Sequence, residues 1–158
     1  MSQCWYHDGK RHREADLPAK IEYSEIGTMV SQCWYRDGQL HRAGDLPAEI
    51  RYNESGIEAQ RWYLDGYLHR EGDRPACIVY REDGTIKSQH WYRDGLWHRE
   101  GDLPAIISYR ESGTIMSRHW YRDGLYHRKG DRPAQVDYSE SGAMVSQRYY
   151  RHGIQVKP

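Results

Sequence analysis

The stretch HWYRDGLWHREGDLPA, residues 90–105, decides the fold because it recurs along the chain. Taken alone, its two Trp, one Tyr, two His and five charged side chains resemble a crowded active site. Its Trp-Tyr pair, however, returns at separations of 29, 28, 29 and 29 residues, and the Trp residues of the pair are Trp5, Trp34, Trp62, Trp91 and Trp120. Self-similar units of this length indicate a repeat architecture in which each unit stacks on its neighbours.

One unit reads Q-x-W-Y-x-D-G-x-x-H-R-x-G-D-[LR]-P-A-x-[IV]-x-Y-x-E-x-G, followed by a few variable residues. All 15 Gly of the chain fall at three positions of this unit, which excludes coincidence. We therefore predict a single repeat domain over residues 1–158. Its five units of 28–29 residues start near Gln3, Gln32, Gln60, Gln89 and Arg118, and a C-terminal half-unit occupies residues 147–158.

The local signals within a unit are those of β-structure. Asp-Gly pairs such as Asp94 and Gly95 supply the positive-φ positions that tight hairpin turns require. The E-x-G segment at residues 111–113 is typical of a type I turn in which Gly closes a bulge. Two such turns per unit predict about eleven strands in an antiparallel meander. The H-R-x-G-D-x-P segment is expected to kink the chain, since Pro cannot donate to a ladder.

The predicted fold class is all-β, an antiparallel meander of repeated β-hairpins that forms an elongated, curved, mostly single-layer sheet. In the A-x-[IV]-x-Y strand the Ala, Ile and Tyr share one face because side chains alternate along a strand. No helical segment is predicted that could cover either face, so the aromatic rows are expected to fill the trough of the sheet. A β-solenoid with a short third strand at the H-R segment is the alternative.

Composition bounds the class of function. The chain has 23 Lys plus Arg and 23 Asp plus Glu, a zero balance that argues against electrostatic capture of nucleic acid or an anionic membrane. No apolar run approaches a membrane span, and the N-terminal residues lack the apolar region of a secretion signal. The three Cys have no CxxC spacing, so neither a disulfide framework nor a zinc site is indicated. These features predict an intracellular protein that is neither secreted nor transmembrane and has no cofactor.

The motif W-Y-x-D-G-x-x-H-R-x-G-D-x-P-A-x-I-x-Y resembles a divergent branch of the MORN-like repeats, of the type abundant in large DNA viruses of amoebae. The resemblance covers residues 3–153. It implies antiparallel hairpins in a row that serve protein–protein contact or scaffolding, in a viral particle or virus factory and in the host cytoplasm. It supplies no catalytic residues. The units lack the Y-x-G-x-W spacing of ordinary MORN repeats, so lipid binding does not follow from the resemblance.

Repetition argues against catalytic or metal-binding interpretations of the polar residues. Five identical active sites are implausible, so we predict no enzyme and no metal. The kink His residues are expected to hydrogen-bond the backbone of a neighbouring unit, and the kink Arg residues to stack on an aromatic ring and bond a nearby carboxylate. A nucleic-acid or lipid-surface binding module, suggested by aromatic residues beside Arg, is the alternative function. The repeat-structural positions are His12, His41, His69, His98, His127, Arg13, Arg42, Arg70, Arg99 and Arg128.

Differences between units are where an individual function can lie. At the positions after the Asp-Gly turn, units one and two are mostly polar and units three to five become apolar. On one face of the A-x-[IV]-x-Y strand, units one and two are charged and units three and four become apolar. Exposed apolar patches mark interaction sites. We therefore expect a contact surface for a protein partner, with a homodimer as one form; the alternative is that the central units pack more tightly within one chain. The candidate residues are Tyr67, Leu68, Cys77, Val79, Leu96, Trp97, Ile106 and Tyr126.

Overall fold

The computed structural model describes residues 1–157, which contain β-strands and no helix. Twelve strands form one antiparallel sheet that follows the chain as a meander and does not close into a barrel. The predicted fold class is thereby confirmed, and the solenoid alternative is not observed. The strands of this sheet are β1 (Ser2–Cys4), β4 (Lys20–Tyr23), β5 (Met29–Cys33), β8 (Glu49–Asn53), β9 (Gly56–Arg61), β12 (Cys77–Tyr80), β13 (Ile86–His90), β16 (Ile106–Tyr109), β17 (Ile115–His119), β20 (Gln135–Tyr138), β21 (Met144–Arg151) and β22 (Ile154–Val156).

The Asp-Gly turns that follow each Trp-Tyr pair do not join strands of this sheet, which corrects the prediction. Each closes a separate two-stranded hairpin that is inserted between two strands of the meander. The separation has a backbone cause: Trp34 donates its N–H to the carbonyl of Ala48, just before β8, while its own carbonyl accepts from His41 N–H and closes the hairpin. The strands of the five hairpins are β2 (Tyr6–His7), β3 (Lys10–Arg11), β6 (Tyr35–Arg36), β7 (Gln39–Leu40), β10 (Tyr63–Leu64), β11 (Tyr67–Leu68), β14 (Tyr92–Arg93), β15 (Leu96–Trp97), β18 (Tyr121–Arg122) and β19 (Leu125–Tyr126).

Backbone geometry confirms both predicted turn types. Asp37 and Gly38 have φ values of 51° and 86°, the two consecutive positive values of a type I′ hairpin turn. At the E-x-G turn the ladder between β4 and β5 shifts register at Glu22 and Tyr23, as a bulge requires. The second unit differs there, because its ladder continues to the pair Asn53 and Gly56. The other four units share the shorter ladder and the register shift before the turn.

The hairpins cover one face of the sheet and give the molecule a partial second layer, which the sequence did not predict. The Tyr63 hydroxyl donates to Oε2 of Glu49 on the sheet at 3.3 Å. The Tyr126 hydroxyl lies 3.3 Å from Nδ1 of His119. The other face carries rows of Ile and Gln that alternate from strand to strand, as in the pair Gln32 and Ile50. The core is thus a thin layer between sheet and hairpins, bordered by buried Trp and Ala residues.

Candidate functional site

The Trp, Arg and Asp positions that recur from unit to unit connect neighbouring units, and we name this set of contacts the clasp. The guanidinium carbon of Arg99 lies 3.8 Å from the ring centroid of Trp91, and the Arg99 Nη1 donates to the carbonyl of Pro104 at 3.3 Å. The remaining Arg99 nitrogens donate to both carboxylate oxygens of Asp73 in the preceding unit, at 2.7 and 3.0 Å. The indole of Trp91 donates to the backbone carbonyl of the same Asp73.

The same clasp occurs at the junctions formed by Arg42, Arg70 and Arg128. Because the Arg hydrogen bonds stabilise the ionised carboxylate, the pKa values of Asp16, Asp45 and Asp73 lie below their ordinary range. At Asp45 a second guanidinium, that of Arg74, adds an ion pair. These residues connect neighbouring units through stacking and hydrogen bonds to a carboxylate, the contacts expected for the kink Arg.

The kink His residues hydrogen-bond the backbone of the following unit. In four junctions the Nδ1 of the His accepts the N–H of the turn Asp at 3.2–3.4 Å, and the fifth uses the N–H of His152. The most buried of them is His98, whose Nδ1 and Nε2 lie 2.8 and 3.0 Å from carboxylate oxygens of Asp123 and Glu100. Within residues 1–157, no group of three or more His, Cys, Asp or Glu side chains is arranged to hold a metal ion.

The layer between sheet and hairpins changes character along the molecule. In the second and third units it is ionic: Glu49 is buried and its carboxylate oxygen Oε1 lies 2.8 Å from Arg51 Nε and 3.1 Å from Arg61 Nη1. Burial acts to raise the pKa of Glu49, but the two guanidinium groups outweigh burial and hold that pKa below its ordinary value. Burial, followed by the nearby Glu49 charge, raises the pKa of Tyr63 to about 12.

In the later units the same layer is aromatic. The rings of Tyr92, Trp97, Tyr121, Tyr126 and Tyr150 follow one another with centroid separations of 5.8, 5.0, 4.1 and 4.9 Å. Tilted and offset ring pairs at such distances stabilise a core beyond simple burial of area. Burial of this cluster raises the pKa of Tyr121 well above its ordinary value. The polar-to-apolar gradient predicted for a surface therefore lies mainly in the interior.

The structure places the eight residues of the predicted contact surface in different environments, from buried to mostly exposed. Cys77 is only 6% exposed, so its assignment to a surface is wrong. Trp97 and Tyr126 pack within the aromatic layer, so they do not form an exposed contact surface either. Leu68, Val79 and Ile106 are half-buried, the last packed against the Trp91 cluster. Of the eight predicted residues, the two that are mostly exposed are Tyr67 and Leu96.

Tyr67 and Leu96 belong to a row that includes two residues the prediction missed. The first residue after the hairpin turn is apolar in the later units, and we name these four the ridge: Tyr67, Leu96, Leu125 and Ile154, which are 60%, 51%, 50% and 70% exposed. In the first two units the same position holds Lys10 and Gln39. The signal that could have found Leu125 and Ile154 is the position itself, followed through every unit to the half-unit.

Three of the four ridge side chains, those of Tyr67, Leu96 and Leu125, contact the turn of the next hairpin. A Cβ atom added to Gly95 would lie 3.3 Å from Tyr67 Cδ1, and one added to Gly124 would lie 3.3 Å from Leu96 Cδ2. A Cβ on Gly153 would lie 3.4 Å from Leu125 Cδ2. The turn glycines thus provide close approach as well as positive φ, and they make the ridge continuous from unit to unit.

Charges beside the ridge are mostly neutralised within the chain. The cross-strand neighbour of this unit position is an Arg in four hairpins, and in three of them the Arg pairs with an Asp of an adjacent unit. These ion pairs are Arg36 with Asp65, Arg93 with Asp123 and Arg151 with Asp131, at 2.8, 2.8 and 3.1 Å. The fourth, Arg122 beside Leu125, lies 3.9 Å from the adjacent residue Asp123. The outer face of the hairpins is therefore apolar along the ridge, and two of the three Arg side chains beside it are paired within the chain.

The cysteines are free thiols, as predicted. Burial raises the pKa of Cys33 to about 11, and burial likewise raises the pKa of Cys77. A thiol with a raised pKa is a poor nucleophile because little thiolate is present at neutral pH. Both side chains lie beneath the hairpins and fill the interior layer.

Comparison with known proteins gives no relative: no family model, no curated protein and no solved structure matches the chain. Over the described part of the chain, no helix is long and apolar enough to cross a membrane.

Proposed function

We propose that this chain is a non-enzymatic scaffolding repeat protein that acts through protein–protein contact, with the ridge as contact surface and a second copy of the chain as partner. The observation that carries the proposal is the ridge itself, four exposed apolar side chains at one position of the repeat unit. Exposed apolar rows of this kind mark interaction sites. An intracellular setting, and a place in a viral particle or virus factory, belong to the same proposal and rest on the motif resemblance alone.

A second copy fits the ridge for two reasons. Two of the three Arg side chains beside the ridge, Arg93 and Arg151, already pair with Asp residues of their own chain, so the face presents little free charge that would select an oppositely charged partner. The ridge residues also recur at the spacing of the units, about 10 Å for two strands. An identical row with identical spacing can therefore meet it around a two-fold axis, which is the commonest symmetry of homo-oligomers.

The test replaces two ridge residues with Asp in the variant Leu96→Asp/Leu125→Asp, and sedimentation equilibrium measures the mass. We expect the unchanged chain to dimerise and the variant to dissociate with a Kd raised about 100-fold or more, because each buried Leu contributes about 1.5–3 kcal/mol. Both side chains are half exposed, so thermal stability should change little.

The matched control is Lys10→Asp/Gln39→Asp, which places the same residue at the same unit position where the chain is polar. This control should keep the mass of the unchanged protein. An unchanged chain that remains a monomer at high concentration would overturn the proposal. So would a ridge variant that dimerises as tightly as the control.

A further inference from the structure

The junction between the fifth unit and the C-terminal half-unit breaks the pattern of the four junctions before it. The turn position that docks on a kink His holds Asp in four hairpins and His152 in the last. In the same junction, Lys129 stands where three other units carry Glu two residues after the kink His. Both substitutions replace a carboxylate near an imidazole with a group that is or becomes cationic.

In the four regular junctions the docking His has a carboxylate at its Nδ1. That nitrogen accepts the turn Asp N–H, and the Oδ1 of the same Asp lies 3.5, 3.1, 3.0 and 2.8 Å away for His12, His41, His69 and His98. If Nδ1 takes up a proton, the resulting N–H can donate a hydrogen bond to this carboxylate. Protonation therefore exchanges one hydrogen bond for another, and the junction keeps its contact.

The last junction has no such acceptor. The N–H of His152 donates to Nδ1 of His127 at 3.3 Å, and the two imidazole rings lie 4.3 Å apart. Among residues 1–157, no carboxylate oxygen lies within 4.0 Å of a ring nitrogen of His127 or His152. Protonated at Nδ1, His127 can no longer accept the N–H of His152, and it places a positive charge beside the second imidazole.

The groups around His127 from every packed element reinforce this difference. Its own segment contributes Lys129 and Arg128, strand β18 contributes Arg122 and strand β21 contributes Arg151. Of the carboxylates nearby, Asp123 and Glu100 are held by His98 and Arg93, and Asp131 is held by Arg151. Burial, together with His152 and these cations, lowers the pKa of His127.

We propose that mild acid releases the turn of the C-terminal half-unit, residues 151–154, from the fifth unit while the junctions that carry Asp stay docked. Release of this turn would loosen the end of the array that carries Ile154 and leave the other units folded. The inference rests on the junction geometry alone and stands or falls independently of the proposed function.

The experiment is amide hydrogen exchange by NMR at pH 7.5 and 5.5, corrected for intrinsic rates, in the full chain. The reporters are the amides of His152 and Gly153, which donate to His127 Nδ1 and to the Tyr126 carbonyl. The internal controls are the equivalent amides of Asp123 and Gly124, which donate to His98 Nδ1 and to the Trp97 carbonyl. Protection of the reporters should fall several-fold at pH 5.5, up to about ten-fold for one imidazole, and that of the controls should not.

The variant His152→Asp restores the regular junction and should abolish the acid loss at residue 153. It is expected to fold, since Asp occupies the equivalent left-handed position in the other hairpin turns, with φ near that of His152. Equal loss at reporters and controls, absence of loss at the reporters, or an unchanged loss in His152→Asp would each overturn the proposal.

Discussion

The residues in left-handed conformation show how strictly the repeat unit restricts the residue type at its turn and kink positions. Eleven residues other than Gly have positive φ, and nine of them are Asp, which tolerates this region better than most residues. Ala15 is the exception, with φ 60° and no polar side chain to offset the strain. It stands where the later units have Gly44, Gly72, Gly101 and Gly130. The first unit therefore carries a local strain that the others avoid.

Ala15→Gly is expected to stabilise the protein by about 0.5–1 kcal/mol, because Gly adopts positive φ without the steric cost that Ala meets. Urea unfolding followed by Trp fluorescence measures the change. The matched control is the reverse substitution Gly44→Ala at φ 73°, where an added Cβ meets nothing within 4 Å. It should destabilise by a similar amount, through backbone strain alone. A destabilised Ala15→Gly variant would contradict the strain argument.

At the scale of the element, the clasp is what joins one unit to the next. Arg99→Lys removes the planar group that stacks on Trp91 and donates to Asp73 and Pro104 at once. A Lys offers a point charge with no fork geometry, so we expect a loss of about 1–2 kcal/mol, with the part that depends on exposed Asp73 reduced by solvent screening. Equilibrium unfolding in urea provides the measurement.

The first unit supplies the control for the clasp. Arg13 stacks on Trp5 at 3.8 Å and donates to the Pro18 carbonyl, but within residues 1–157 it makes no ion pair. Arg13→Lys should therefore cost less than Arg99→Lys, and the difference isolates the bond to the Asp of the preceding unit. Equal losses in the two variants would show that the carboxylate contributes nothing to the clasp.

Turns and kinks were predictable from the sequence, whereas the layering of the hairpins was not. Asp-Gly and E-x-G dictate backbone dihedrals locally, so their geometry follows from the residues themselves. The hairpins leave the sheet because Trp34 bonds Ala48, a contact between residues that no local rule pairs. Because the sequence does not reveal that contact, it does not show which side of a hairpin faces the sheet and which faces solvent. Trp97 was therefore predicted to be surface although it packs on Tyr121.

At the scale of the whole molecule, the ionic and aromatic halves of the interior respond differently to solution conditions. Glu49 with Arg51 and Arg61 depends on charge, whereas the rings around Tyr121 depend on burial. Two further interior groups, His90 and His119, lie on the sheet beside the aromatic rings. Desolvation, as the largest cause, lowers the pKa of both. Folding thus favours their neutral form, and this ties the stability of the array to pH.

Acidification from pH 7.5 to 5.5 is therefore expected to destabilise the protein. Because the pKa of His90 and His119 is lower in the folded than in the unfolded chain, where it is about 6.5, the unfolded state binds more protons below that pH. Their contribution is fully present above pH 6.5 and is lost as pH falls toward the folded pKa. Allowing for partial exposure, the loss at pH 5.5 is about 1 kcal/mol for the pair.

The variant His90→Gln/His119→Gln separates this effect from other titrations, since Gln keeps hydrogen-bonding capacity and does not titrate in this range. Urea unfolding at pH 7.5, 6.5 and 5.5 should give a falling stability for the unchanged chain and a shallower fall for the variant, which keeps the contribution of His127. The lowered pKa values of Asp16, Asp45 and Asp73 predict a separate loss below pH 4, which the variant should retain because its clasps are intact. A chain equally stable at pH 7.5 and 5.5 would show that the buried imidazoles are not coupled to folding.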